Sequence, residues 1–178
     1  MTAQAYEVLH HQGRTCQMAS LPLSLYFALA GVRPDFRFRS TALWRGYVGI
    51  WEVVDDRLYL VGIRGELGTG EPLALETVFP GYPDRVFAHW YSDVARVPQG
   101  RLVDYRHLGF ASQYEADLLL TFEKGVLTSS EHRRNLAIPN EGASPRKQSW
   151  INFLGFSGAA ARRNERSIAE PQETGLRE

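Results

Sequence analysis

Glu52 and Glu115 are the two carboxylates whose setting could support acid–base chemistry. Each closes a similar seven-residue stretch, Gly46-Tyr47-Val48-Gly49-Ile50-Trp51-Glu52 and Gly109-Phe110-Ala111-Ser112-Gln113-Tyr114-Glu115, offset by 63 residues (46 to 109). A general acid and a general base can both be glutamates when burial raises one pKa and leaves the other ionised. Tyr105 and His107 lie just before the second copy. A ligand-binding barrel or small hydrolase with Glu52, Glu115, His107 and Tyr105 around a pocket is therefore one reading. The competing reading is that each glutamate faces solvent or pairs with an arginine such as Arg45. Strand alternation puts Glu52 on the side of Gly46 and Ile50, opposite Tyr47 and Trp51, and this favours the second reading.

Other chemistries find less support. The imidazoles are His10, His11, His89, His107 and His132. His10 and His11 are adjacent and on a strand would point to opposite faces. His89 and His107 could approach across a hairpin, but no third ligand has a supporting spacing, so no metal is expected. Cys16 is the only cysteine. It rules out an internal disulfide and a cysteine-rich zinc site, and reads as a small buried hydrophobe. No G-x-S-x-G elbow occurs, and the glycine-rich Gly65–Gly70 stretch lacks the following Gly-Lys-Ser/Thr of a phosphate loop, so no cofactor is expected.

Aromatic and arginine residues crowd the stretch from 36 to 51. Most such rings belong in a core, because each buries roughly 150 to 250 Å². Tryptophan, tyrosine and arginine are also the residue types that anchor protein interfaces. Arg37, Arg39, Trp44, Arg45 and Tyr47 are the candidate partner-binding residues. The same set could stack on and neutralise nucleic acid, but Asp35 and Glu52 lie close by and the chain balances 20 basic against 20 acidic residues. Neither nucleic acid nor an anionic membrane is the expected partner.

The elements that must position these residues are mostly strands. Residues 43–54 and 57–63 flank Asp55-Asp56 and read as a hairpin, with glycines that mark a bulge or a close backbone approach. Residues 85–97 and 101–110 read as strands joined by a turn at Pro98-Gln99-Gly100. Residues 114–123 and 126–128 form a further hairpin about Lys124-Gly125, and 35–40 an edge strand. Only 21–31 looks helical, with Gly31 as its stop. The fold class is all-β, mainly antiparallel: a small barrel or sandwich of about eight strands, with one or two short helices and a C-terminal extension.

The 178 residues suit a β domain over 1–128 and a polar extension over 129–178. Acidic residues exceed basic ones, 14 to 12, in the first part; in the second, 8 basic residues exceed 6 acidic ones. Within the extension, 150–156 could dock on the body and 158–170 could form a short helix. The first fifteen residues lack a charged segment followed by an apolar one, and no run approaches the roughly 18 to 20 apolar residues of a membrane span. A cytoplasmic protein is the expectation.

The motifs S-T-A-x-W-R-G-Y, W-E-x-x-D-x-x-L-Y-L, F-P-G, F-A-x-W-Y-S, P-Q-G and Y-x-H-L-G-F-x-S-x-Y-E, between Ser40 and Gly125, resemble a family of small bacterial proteins with no assigned activity. The stretch 18–27 fits as a preceding piece. The resemblance implies membership and no mechanism. Small bacterial β-proteins of this kind often serve, by analogy, as immunity or inhibitor partners of toxins. Such a protein needs a rigid complementary surface and no chemistry of its own.

Overall fold

The computed structural model describes residues 2–135. Eight strands form the body: β1 (Glu7–His11), β2 (Arg14–Met18), β3 (Tyr47–Val54), β4 (Arg57–Gly65), β5 (Val86–Phe87), β6 (Val94–Asp104), β7 (Gln113–Glu123) and β8 (Val126–Arg134). Two short helices accompany them, α1 (Pro22–Ala30) and α2 (Leu75–Val78), together with a 3₁₀ turn at Thr41–Leu43. The strands follow the order β2-β1-β3-β4-β8-β7-β6, with β5 against β4. All pairs are antiparallel except β1 with β3.

Three tight hairpins set this order. Gln12-Gly13, Asp55-Asp56 and Lys124-Gly125 all take positive φ, which matches the twist of the flanking strands and fixes their register. The single residue pair Arg57↔Val126 links β4 to β8. The sheet therefore consists of two parts that diverge from one corner. It is not a closed ladder, but beyond β2 the Ala19 N–H donates to the Arg96 carbonyl at 2.7 Å, bringing the two ends together. This is the sandwich-like alternative of the all-β expectation.

Between the two parts lies the core, with Leu9, Met18, Trp51, Leu58, Leu60, Ala95, Val97, Leu120 and Phe122 almost fully buried. Trp51 has no exposed surface, and Tyr47 and Trp51 face inward while Glu52 faces outward, as alternation requires. α1 ends at Gly31 in the left-handed conformation, and its Phe27 packs on Phe36 and Tyr47.

Several expected elements differ. The stretch 85–97 is not one strand: β5 stops at Phe87, a turn follows through His89-Trp90, and β6 starts only at Val94. Nor do Pro98-Gln99-Gly100 form a turn. β6 runs straight through them, with the register shifting between Gln99 and Leu102. β6 ends the sheet, and an edge strand tolerates a proline without a ladder N–H, while Gly100 at φ +76° supplies the bulge. Phe36 makes only a single bridge to Leu67 where an edge strand over 35–40 was expected. The N-terminal hairpin β1–β2 has no apolar alternation to mark it in the sequence. The change of composition at 128 does not end a strand, since β8 continues to Arg134. The proposed docking of 150–156 and helix over 158–170 lie outside the described residues. Among the described residues, no helix is long and apolar enough to cross a membrane.

Candidate functional site

The acid–base candidates do not converge. Glu52 lies on β3, its register partners being Tyr59 and His10. Glu115 lies on β7, and β4 and β8 intervene in the sheet. Its carboxylate is already occupied, accepting the Arg101 Nε–H at 2.6 Å and the Arg101 backbone N–H at 2.9 Å. These hydrogen bonds hold the Glu115 carboxyl below the ordinary glutamate range, which suits an ion-paired carboxylate and not a proton donor. Tyr105 and His107 sit in the loop after β6 and pack edge to face on each other, ring centroids 4.7 Å apart. His89 and His107 do not meet, because the hairpin that would have paired them does not exist; His89 packs against Trp90 instead. Among the described residues, no group of three or more histidines, cysteines or acids could hold a metal ion.

The partner-binding candidates divide. Arg45 and Tyr47 are 5% and 1% exposed, so neither belongs to a surface. Arg45 points inward because Glu7, itself 1% exposed, waits on β1. The Glu7 carboxylate takes Arg45 Nε at 3.0 Å, Arg45 Nη2 at 2.7 Å, the Gly49 N–H at 2.6 Å and the Trp51 indole N–H at 2.9 Å. Burial raises the Glu7 carboxyl above its ordinary value, and Arg45, Trp51 and Gly49 each oppose that rise. A Cβ on residue 49 would fall on the Glu7 carboxylate and lie 2.6 Å from the Trp51 indole nitrogen. Gly49 is thus a close-approach glycine. The Arg45 guanidinium also lies 5.5 Å from the Tyr47 ring, whose hydroxyl meets Ser24 Oγ at 2.6 Å.

Trp44 does the opposite of its neighbours. It is 75% exposed, between Leu43 at 8% and Arg45 at 5%. The turn explains this: Leu43 N–H bonds to Ser40 and Gly46 N–H to Leu43, each at 3.0 Å, so the chain reverses around Trp44 while its two neighbours anchor inward. Arg33 Nη2 clasps the Arg45 carbonyl at 2.8 Å. Phe36 and Arg37 lie so close to Gly46 that a Cβ there would come 2.6 Å from Phe36 Cβ. Phe38 therefore leaves from a segment pressed against the Trp44 turn.

Arg37 and Arg39 flank Phe38 and remain about half exposed. Both pair with one carboxylate, Glu66, with Arg37 Nη1 at 3.2 Å. Two guanidinium groups on one carboxylate leave a net positive charge beside an apolar surface. Among the described residues, ten large hydrophobics are exposed, and Leu29, Val32, Phe38 and Trp44 fall within sixteen consecutive positions.

Cys16 is half-buried and free, its thiol pushed up by burial, which fits an unreactive packing residue. Glu7 escaped the sequence reading because the partner of Arg45 lies 38 residues away on a strand that no alternation signal announces. No protein-family model matches the chain, and neither does any curated protein or solved structure with which it was compared.

Proposed function

We propose that this protein acts by binding another protein through the face built on residues 29–46, and that the binding is of the immunity or inhibitor kind, blocking a toxin by occlusion. The observation that carries the reading is the exposure of Trp44 on a rigidly held turn. Exposed tryptophan keeps a large apolar surface in water, and such side chains dominate interface energetics once a partner covers them. The buried Glu7–Arg45 pair holds the turn from beneath, so little ordering remains to be done on binding. Arg37 and Arg39 supply a positive rim, which fits a partner with an acidic margin around an apolar centre. Occlusion by a preformed surface requires no catalytic group, and the separation of Glu52 from Glu115 is compatible with that. The resemblance of residues 40–125 to small bacterial proteins supports a role of this kind in a bacterial cell.

The test uses the full chain and its Trp44→Ala variant as baits in the native host. A protein recovered in stoichiometric amount by the wild type should bind the variant about 30-fold or more weakly, as expected for a hot-spot residue. The variant's melting temperature should not change. Equal recovery by both baits removes the face from the reading, and recovery of nucleic acid in place of protein overturns it.

A further inference from the structure

A second interaction surface lies along β8, apart from the Trp44 face. β8 pairs with β7 over its whole length, but its other side meets β4 only at Arg57↔Val126. Just beyond, the Leu127 N–H bonds to the Asp56 carbonyl at 2.7 Å. From residue 128 onward, that side of the strand has no backbone partner among the described residues. Other edges of the sheet are managed. Ala19 ties the end of β2 to Arg96 on β6, Pro98 and the register shifts interrupt β6, and β5 covers part of β4. A straight edge left unpaired is a template for another strand.

The ladder with β7 shows which groups point to the open side. The Asn135 N–H donates to the Glu115 carbonyl at 3.0 Å, and opposed residues of an antiparallel pair alternate between bonded and non-bonded. The register runs without a shift from Thr121↔Ser129 to Ala116↔Arg134. Residues 129, 131 and 133 therefore turn their N–H and C=O groups to β7. Ser130, His132 and Arg134 turn theirs outward. All of these residues are exposed, and β8 has no buried residue at all.

We propose that two copies of this chain join through this edge, β8 antiparallel to β8, about a twofold axis at His132. Such pairing is self-complementary and closes at two copies. Charge selects the axis, given that outward groups must meet outward groups. An axis at Glu131 sets that carboxylate against itself, and one at Arg133 or Arg134 opposes like arginines. An axis at Ser130 leaves Glu131 opposite Ser129. Only at His132 does Glu131 face Arg133 of the second copy, and it does so twice. The same axis gives each outward N–H of Ser130, His132 and Arg134 an outward carbonyl on the other chain.

The two charged side chains are available for this. Glu131 takes part in none of the ion pairs among the described residues. The Arg133 side chain is 53% exposed and reaches Asp117 only at 3.4 Å, while Asp117 is held more closely by Arg96 at 2.8 Å and Asn135 at 2.9 Å. Across the new junction Glu131 and Arg133 form a non-bonded pair, the kind in which opposed side chains come closest. The contact buries little apolar surface, so the dimer is weak and concentration-dependent. It uses no residue of the Trp44 face.

Sedimentation velocity on the full chain, from about 5 µM to about 500 µM, should show a monomer–dimer equilibrium with a Kd on the order of 100 µM. His132→Pro removes an outward N–H and leaves the β7 ladder intact, as an edge strand allows. It should weaken the dimer about tenfold or more, and Glu131→Arg about fivefold. Both variants should melt close to the wild type at the lowest concentration. Oxidative cross-linking in a Cys16→Ser background reads the register. His132→Cys chains should join, because opposed Cα atoms of a bonded pair lie about 5.5 Å apart, within disulfide reach. Ser130→Cys chains should not, since residue 130 lies opposite residue 134. A chain still monomeric at about 500 µM overturns the proposal, whether another protein's strand or nothing covers the edge. So does a dimer that His132→Pro leaves unchanged, or cross-linking that is equal at the two positions.

Discussion

Two glutamates in this molecule make nearly the same set of contacts and are held in opposite ways. Glu7 and Glu115 each accept an arginine Nε–H and a backbone N–H, and each presses on a glycine, Gly49 or Gly100, that leaves no room for a Cβ. Yet Glu7 lies under the sheet with Arg45 at 5% side-chain exposure, whereas Glu115 is 40% and its Arg101 89% exposed. Burial raises the first carboxyl and arginine hydrogen bonds lower the second. Contact geometry alone does not rank an ion pair; the water withdrawn from it does.

The sharpest way to separate the two is to remove the charge on Glu7. Glu7→Gln leaves Arg45 buried without a counter-charge and should cost about 3–5 kcal/mol of stability, read from chemical denaturation. If the loss is instead as small as that of an exposed pair, the contrast fails. Restoring balance with Glu7→Gln and Arg45→Met together should recover much of it, since an apolar replacement of a buried pair is often close to neutral.

The glycines give a smaller effect. Gly49→Ala forces a methyl group into the Glu7–Trp51 contact and should cost about 1–3 kcal/mol. Gly100→Ala meets the movable Glu115 side chain 2.5 Å away, and its cost of about 1 kcal/mol should come from the positive φ. Equal losses at the two sites would erase the distinction.

The smallest effect belongs to Arg101→Ala, which should leave the melting temperature where it is. The Glu115 carboxyl, followed by NMR, should titrate below the ordinary glutamate range in the wild type and move up in the variant. Because its folded pKa is depressed, any stability it contributes is present above the ordinary glutamate pKa and fades as pH falls through the folded value.

Parts of this were legible in the sequence. Asp55-Asp56 and Lys124-Gly125 sat between runs of alternating hydrophobics and marked their hairpins correctly. The outward parity of Glu52 and the arginine pairing expected for a glutamate could also be anticipated, although the arginine found at Glu115 is Arg101. The β1–β2 hairpin was hidden because Arg14 and Thr15 are exposed and their strand lacks apolar alternation. Pro98 and Gly100 misled because a turn and an edge bulge draw on the same two residue types. Arg45 and Tyr47 looked like surface anchors because nothing local reveals a carboxylate on a distant parallel strand. Trp44 is exposed because of a turn and not because of a strand period, so alternation could not announce it.

The parallel pairing of β1 with β3 has a further consequence for how the chain matures. Antiparallel hairpins can close as soon as their second strand is synthesised, but Leu9 must wait for Trp51, its partner across the β1–β3 junction. During translation the first hairpin, complete at Met18, is therefore left with an open edge while roughly thirty further residues emerge. Glu7, on that same strand, finds its counter-charge only once Arg45 has been made, so the charge pairing of the core completes together with the parallel junction.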